Sequence, residues 1–109
     1  MKKYSDVIVK EIVHIHKILA NATRVKILLL LSESPLNVSQ LAEKLGLEQS
    51  AVSHQLKLLK EHLLVANIRV GKASVYQIGD SHILQLLKVS IDHAKELESD
   101  HIHDPELFH

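Results

Sequence analysis

Apolar residues return at three- and four-residue intervals in the first part of the chain, which is the period of one face of an α-helix. Residues 5–19 therefore predict an amphipathic helix, whose apolar positions are Val7, Ile8, Ile12, Ile15, Ile18 and Leu19. The next segment, Ala22 to Leu31, is apolar around most of its circumference, which is typical of a buried helix. Ser34 and Pro35 end this pattern, because proline cannot continue a helix and restricts the residue before it.

The segment 38–61 has the spacing of a helix-turn-helix. A short helix is predicted from Val38 to Leu45, and Gly46 permits a tight turn after it. A further helix is predicted from Gln49 to Glu61. These two helices and the turn between them indicate a DNA-binding arrangement.

Two β-prone runs, 65–70 and 74–78, follow the helix-turn-helix and are separated by a glycine-containing turn. They predict a two-stranded hairpin over 65–78, which in this place is a wing. One long helix is then predicted over residues 80–97, and a polar, histidine-containing tail over 98–109. The pattern as a whole predicts a mainly α fold with a small β-hairpin, a winged helix-turn-helix.

Length and composition narrow the class of protein. A chain of 109 residues with 46% hydrophobic content can bury one compact core, so we expect a single domain over 1–109. No apolar run approaches the roughly 18 to 20 residues of a membrane span, and the charged start does not resemble a secretory segment. We therefore expect a cytoplasmic protein with no membrane partner. The chain has no cysteine, so any metal ion must be held by His, Asp and Glu.

The formal net charge is zero, but the charges are divided along the chain. Residues 1–79 carry eleven Lys and Arg against six Asp and Glu, whereas residues 80–109 carry two against seven. A basic first part and an acidic last part suit a DNA-binding body followed by a cation-binding segment. This division of charge between the two parts of the chain is equally explained by chance when it is taken alone.

The helix predicted from Gln49 to Glu61 carries the residues expected to read DNA. Val52, Leu56 and Leu59 share one face and are expected to enter the core. Short polar side chains remain on its outer, N-terminal part, where a recognition helix enters the major groove. They are Gln49, Ser50, Ser53 and His54.

Because those four side chains carry no net charge, phosphate contacts are expected from basic residues around them. The candidates are Lys57, Lys60, Arg69 and Lys72. Each residue taken singly is also consistent with an ordinary solvated position. Their arrangement on a helix-turn-helix with a wing predicts double-stranded operator DNA as a partner.

The run from Gln49 to Lys60 resembles the recognition helix of the ArsR/SmtB metal-sensing repressors, and Ala22 to Leu28 resembles that family's second helix. The resemblance extends from about Ile15 to Glu96. It implies a homodimeric winged helix with the helices 5–19 and 80–97 at the dimer interface, which releases DNA when a metal ion binds. Many members hold the metal through cysteines near the helix before the recognition helix, and this chain has none.

The last predicted helix offers four other metal ligands: Asp80, His82, His93 and Glu96. Their spacing resembles the ligand pattern of the family's zinc-sensing branch, which includes the SmtB-like and CzrA-like repressors. His93 and Glu96 share a helical face, and His82 points the same way. Along one helix, however, His82 and His93 are roughly 16 Å apart, so one chain cannot close the site around one ion.

Two antiparallel copies of the helix remove this difficulty. A two-fold axis near residues 87 and 88 pairs His82 of one copy with His93 of the other, and Asp80 with Glu96. Each dimer then has two sites, and two imidazoles with two carboxylates suit Zn(II) as a regulatory ligand. On the opposite side of the helix, an apolar stripe is expected to pack on the body of its own subunit; its members are Leu84, Leu87, Ile91 and Ala94.

The sequence supports a metal-binding role less well for the remaining histidines. In the tail, His101, His103 and His109 either extend the coordination shell toward six-coordinate cobalt or nickel, or belong to a disordered polar tail. His14 and His16 are two residues apart on a helix and face different ways. His62 is expected at a helix end.

Two other functions stay open. A metalloenzyme is the first, but the chain has no His-Glu-x-x-His run and no nucleophile elbow, so we expect no catalytic residues and no small-molecule substrate. The second is a winged-helix regulator that senses a different signal and leaves the helix ligands unused.

Overall fold

The computed structural model describes residues 3–101. Five helices and a two-stranded hairpin follow one another within this range, which confirms the predicted mainly helical fold. The elements are α1 (Asp6–Leu19), α2 (Ala22–Glu33), α3 (Val38–Leu45), α4 (Gln49–Glu61), β1 (Val65–Val70), β2 (Ala73–Ile78) and α5 (Ser81–His101). No helix among the described residues is long and apolar enough to cross a membrane.

The chain divides between Gly79 and Asp80 into two compact units. The first unit holds α1 to α4 and the hairpin, and the described part of the second is α5. The helix α5 continues to His101, so the segment expected as a polar tail from residue 98 begins in helix. His103 and His109 lie outside the described residues. A single domain over 1–109 stays a prediction.

The packing of Leu84, Leu87, Ile91 and Ala94 on the body of the same subunit stays a prediction. Within α5, Ile83 and Leu87 are buried and Leu84 is 39% exposed. Ile83 lies four residues before Leu87 and so shares its side of the helix more closely than Leu84 does.

Each of the first three helices begins at a capping side chain. Such caps accept hydrogen bonds from backbone N–H groups that have no partner within the helix. The pairs of capping and capped residues are Ser5 with Ile8, Asn21 with Arg24, and Asn37 with Gln40. The last pair is reciprocal, because the Gln40 side chain also accepts from the Asn37 backbone N–H at 2.8 Å.

The helix α2 lies at the centre of the first unit, where it contacts α1, α3, α4 and β2. Ile27 and Leu28 of this helix are fully buried. This burial agrees with the apolar circumference that the sequence shows over the same segment. The other large, fully buried side chains come from α3, α4 and the residue before β1, and are Leu41, Val52, Leu56, Leu59 and Leu64.

The hairpin is tied to the segment before α3. The strands β1 and β2 pair antiparallel with Val65 opposite Ile78, and Gly71 takes a φ of 63° in the turn between them. Leu36 adds an isolated bridge to Tyr76. The Leu36 N–H donates to the Tyr76 carbonyl at 3.0 Å, and the Tyr76 N–H donates to the Leu36 carbonyl at 2.8 Å. These two hydrogen bonds between Leu36 and Tyr76 hold the base of the wing against the segment that leads into α3.

The helix α4 ends in a left-handed residue that is not glycine. Leu63 has a φ of 63° and its N–H donates to the Lys60 carbonyl at 3.0 Å, while the Leu64 N–H donates to the Leu59 carbonyl at 2.9 Å. These two bonds form a Schellman motif, in which glycine usually holds the left-handed position. The Leu63 side chain is 75% exposed, so its burial offsets little of the roughly 1–2 kcal/mol that this conformation costs.

Leu63→Gly is expected to raise the free energy of unfolding by about 0.5–1 kcal/mol, because relief of the left-handed conformation exceeds the added chain entropy of glycine. Leu63→Val is the contrasting variant and should lower it, since β-branched residues tolerate positive φ least. Urea unfolding at one fixed protein concentration measures both. Equal destabilisation by the two variants would mean that packing of the leucine outweighs its backbone conformation.

Candidate nucleic-acid interface and metal ligands

The outward face of α4 carries the polar residues predicted to read DNA. Val52, Leu56 and Leu59 are 0% exposed and fix the rotation of the helix. All six candidates on this helix are exposed: Gln49, Ser50, Ser53, His54, Lys57 and Lys60. A helix held in this way presents a largely polar face to the outside over about three turns.

The first turn of α4 is linked to α3 through one side chain. The Gln49 Nε2 donates to the Ser39 Oγ at 2.9 Å. Glu48 holds the N-cap position but its side chain makes no cap hydrogen bond within the described part of the chain. The first backbone N–H groups of α4 are therefore not satisfied by that side chain, and such groups favour a phosphate oxygen.

Arg24 joins three helices, and the sequence pattern did not single it out. Its Nε donates to the Gln55 Oε1 at 2.9 Å, and its Nη1 donates to the Ile18 carbonyl at 3.2 Å. Both bonds are partly buried. They connect the end of α1, the start of α2 and the middle of α4. Arg24 is thus a positioning residue for the helix that carries the DNA candidates.

The two basic candidates of the wing are both exposed. Arg69 lies near the end of β1, opposite Ser74, and Lys72 follows Gly71 in the turn. The hairpin between them is stiffened by a side-chain bond from the Asn67 Nδ2 to the Ser74 Oγ at 2.7 Å. Exposed cations at the tip of a stiff hairpin suit contact with a phosphate backbone.

Asp80 and His82 lie together at the start of α5. The Asp80 Oδ1 is 3.0 Å from the His82 Nδ1 and accepts the His82 backbone N–H at 2.8 Å. Asp80 therefore caps the helix and faces the imidazole at the same time. The His82 side chain is 85% exposed and that of Asp80 is 42% exposed, so both are open to a ligand.

His93 and Glu96, the other two predicted ligands, are exposed further along α5. They are three residues apart and so share one side of the helix. Within residues 3–101, no three His, Asp or Glu side chains are arranged to hold a common metal ion. The structure of one chain brings Asp80 to His82, but it does not bring the four predicted ligands to one point.

The helix-turn-helix, its wing and the exposed polar face of α4 define the class of protein as a winged helix-turn-helix. The family described as "Bacterial regulatory protein, arsR family" matches residues 21–66, from α2 into β1. The Cadmium resistance transcriptional regulatory protein CadC homolog of Staphylococcus aureus is 32% identical over 90 residues, which cover 82% of this chain and 74% of that protein. The chain belongs to the ArsR family of bacterial transcriptional regulators.

Two further relatives support this assignment. The HTH-type transcriptional regulator NmtR of Mycobacterium tuberculosis is 47% identical over 79 residues, which are 72% of this chain and 66% of NmtR. The chain thus spans slightly less than two thirds of NmtR. The homodimeric winged helix-turn-helix DNA-binding domain of Mb0332 from Mycobacterium bovis superimposes with a TM-score of 0.76 and 28% identity, covering 93% of this chain and 97% of that one. The curated relatives are named as transcriptional regulators rather than enzymes, in agreement with the expected lack of catalytic residues.

Arg24→Met is expected to lower the free energy of unfolding by about 1–3 kcal/mol, because the Gln55 and Ile18 oxygens lose a donor in a partly buried place. Lys26→Met, at an exposed position of the same helix, is the matched control and should stay within about 0.5 kcal/mol of the parent. A double-mutant cycle with Gln55→Met should give a coupling of about 0.5 kcal/mol or more. A coupling of zero would show that Arg24 does not act through Gln55.

Proposed function

We propose that this protein is a transcriptional repressor that binds double-stranded operator DNA as a homodimer and leaves it when Zn(II) binds at two sites between the subunits. The contact of Asp80 with His82 carries the metal part of the proposal. Two side chains suited to Zn(II) stand 3.0 Å apart at an exposed helix start.

The DNA-binding part rests on the surface of the first unit. The exposed face of α4 combines uncharged hydrogen-bonding side chains with two lysines further along: Gln49, Ser50, Ser53 and His54, followed by Lys57 and Lys60. Hydrogen-bonding groups at the start of a recognition helix read base edges, and cations at its border neutralise phosphates. The excess of basic residues over residues 1–79 favours the same partner.

The homodimer is supported by the apolar surface of α1. Val7 is 76% exposed and Ile12 is 53% exposed, and Ile8 and Val13 are exposed beside them. Large apolar side chains exposed together on one helix favour a surface that a partner covers. The neighbour Mb0332 is described as homodimeric, which favours a second copy of this chain as that partner.

The proposed metal sites need both copies of α5. If the two helices run antiparallel, Asp80 and His82 of one copy approach His93 and Glu96 of the other, which completes four ligands at each of two sites. Nitrogen and oxygen ligands in this number suit tetrahedral Zn(II). Co(II) and Ni(II) become the preferred ions if His101, His103 or His109 adds further ligands.

The proposed release of DNA is allosteric. The ligands on α5 are remote in sequence from Gln49 to His54, so the ion is not expected to cover the reading residues. A dimer fits successive major grooves only when its recognition helices are about 34 Å apart. Ions that fix the angle between subunits disturb this separation, and linkage then requires DNA to weaken zinc binding by the same factor.

The recognition helix and the wing are expected to respond differently to substitution. Ser53→Ala with His54→Ala should weaken binding to the operator more than to a random duplex, because base contacts are lost. Lys72→Gln should weaken both duplexes alike and lower the salt slope by about one unit, because one phosphate contact is lost. Fluorescence anisotropy across a salt series measures both effects. Equal losses on both duplexes for the Ser53 and His54 variant would remove these residues from base reading.

His93→Ala is the decisive variant for the metal part. It should still dimerise and bind the operator, but zinc should no longer release it, because each site loses one of its four ligands. Asp92→Ala, which removes a neighbouring exposed carboxylate outside the ligand set, is the control and should respond to zinc as the parent does. If His93→Ala still left the operator at the parent's zinc concentration, the sites on α5 would not be the sensor.

A further inference from the structure

The fold brings together two histidines that are 48 residues apart in the sequence. His14 lies on α1, and His62 is the C-cap of α4. The Nε2 of His14 is 3.3 Å from the Nδ1 of His62, and the ring centroids are 4.8 Å apart at an interplanar angle of 64°. Both side chains are exposed. Neither belongs to the predicted DNA face or to the ligands of α5.

The separation of the two nitrogens suits a shared metal ion. Two imidazole nitrogens that each lie about 2.0–2.1 Å from a tetrahedral Zn(II) are about 3.3–3.4 Å from one another. The observed 3.3 Å also fits one N–H···N hydrogen bond between neutral rings. An ion bound by both nitrogens would lie to one side of the line that joins them, so the rings would have to rotate, but α1 and α4 would not have to move apart.

Carboxylates stand next to the histidine pair. A cavity of about 300 Å³ is lined by both histidines together with Glu11 and Glu61. Glu11 lies three residues before His14 on α1, so the two share a helical face. A Glu-x-x-His pair on one helix is a known way of presenting a carboxylate and an imidazole to one metal centre.

We propose that His14, His62 and Glu11 form a second binding site for a borderline divalent transition-metal ion such as Zn(II). Among residues 3–101 no three such side chains already stand in a coordinating arrangement, so Glu11 turns toward the histidines when the ion binds. Water fills the remaining position, which makes the site exchangeable. Because the ion joins α1 to the end of α4, it restrains the recognition helix from within one chain.

The test uses the full chain with His82→Ala and His93→Ala, so that two of the four α5 ligands are absent. Zn(II) alone is titrated and followed by calorimetry and by the imidazole NMR signals. The ring signals of His14 and His62 are expected to shift together. His14→Gln and His62→Gln should each lower the affinity by about tenfold or more, and the double variant should lose little beyond either single one. His16→Gln is the control, an exposed histidine on the same helix, and should stay within about twofold of the background.

The third ligand is tested in the same background. Glu11→Gln is expected to lower the Zn(II) affinity severalfold, whereas Glu61→Gln should leave it within about twofold of the background. Unshifted ring signals of His14 and His62, or full affinity in either histidine variant, would overturn the site and leave a plain hydrogen bond. Loss of affinity through Glu61→Gln alone would overturn the ligand set. Because the α5 ligands are already removed, these outcomes are independent of zinc release at α5.

Discussion

The burial of Val52, Leu56 and Leu59 is the interaction on which the DNA-facing surface depends. All three are 0% exposed, and α4 contacts α2, α3 and β1. A helix with one closely packed face has no freedom to rotate, since rotation would expose that face and leave cavities behind it. Ser53 and His54 point outward as a consequence of this packing. The rotation of α4, and with it the face proposed to read DNA, is therefore set by the core.

Apolar packing decides which face of α4 is outward, but it is not directional and fixes the position along the helix axis less well. Hydrogen bonds depend on distance and angle, and two of them act here. Gln49 is tied to Ser39 at the first turn, and Gln55 is tied to Arg24 in the middle. The side chains between these two ties are the ones proposed to enter the major groove. The backbone bridge from Leu36 to Tyr76 fixes the position of the base of the wing in a similar way.

Periodic and local signals made most of the fold predictable. The bounds of α3 and α4 agree with the sequence prediction, because Gly46 and a regular apolar spacing mark them in the sequence. The end of α5 was not predicted, since a run of polar residues after Leu97 is equally typical of a tail and of a solvated helix. Contacts between distant residues, such as those of Arg24 with Gln55 and of His14 with His62, have no local signature. They arise only once the apolar faces have packed.

The start of α5 shows how one carboxylate serves two purposes. The Asp80 Oδ1 accepts the His82 backbone N–H and faces the Nδ1 of the same residue, so a single contact orders the helix end and orients the imidazole. In the proposed site, an ion shared by both side chains would bind His82 through Nδ1, because Nε2 lies on the far side of the ring from Asp80. The contact brings the carboxylate and the imidazole together before any ion binds, which reduces the ordering that binding requires.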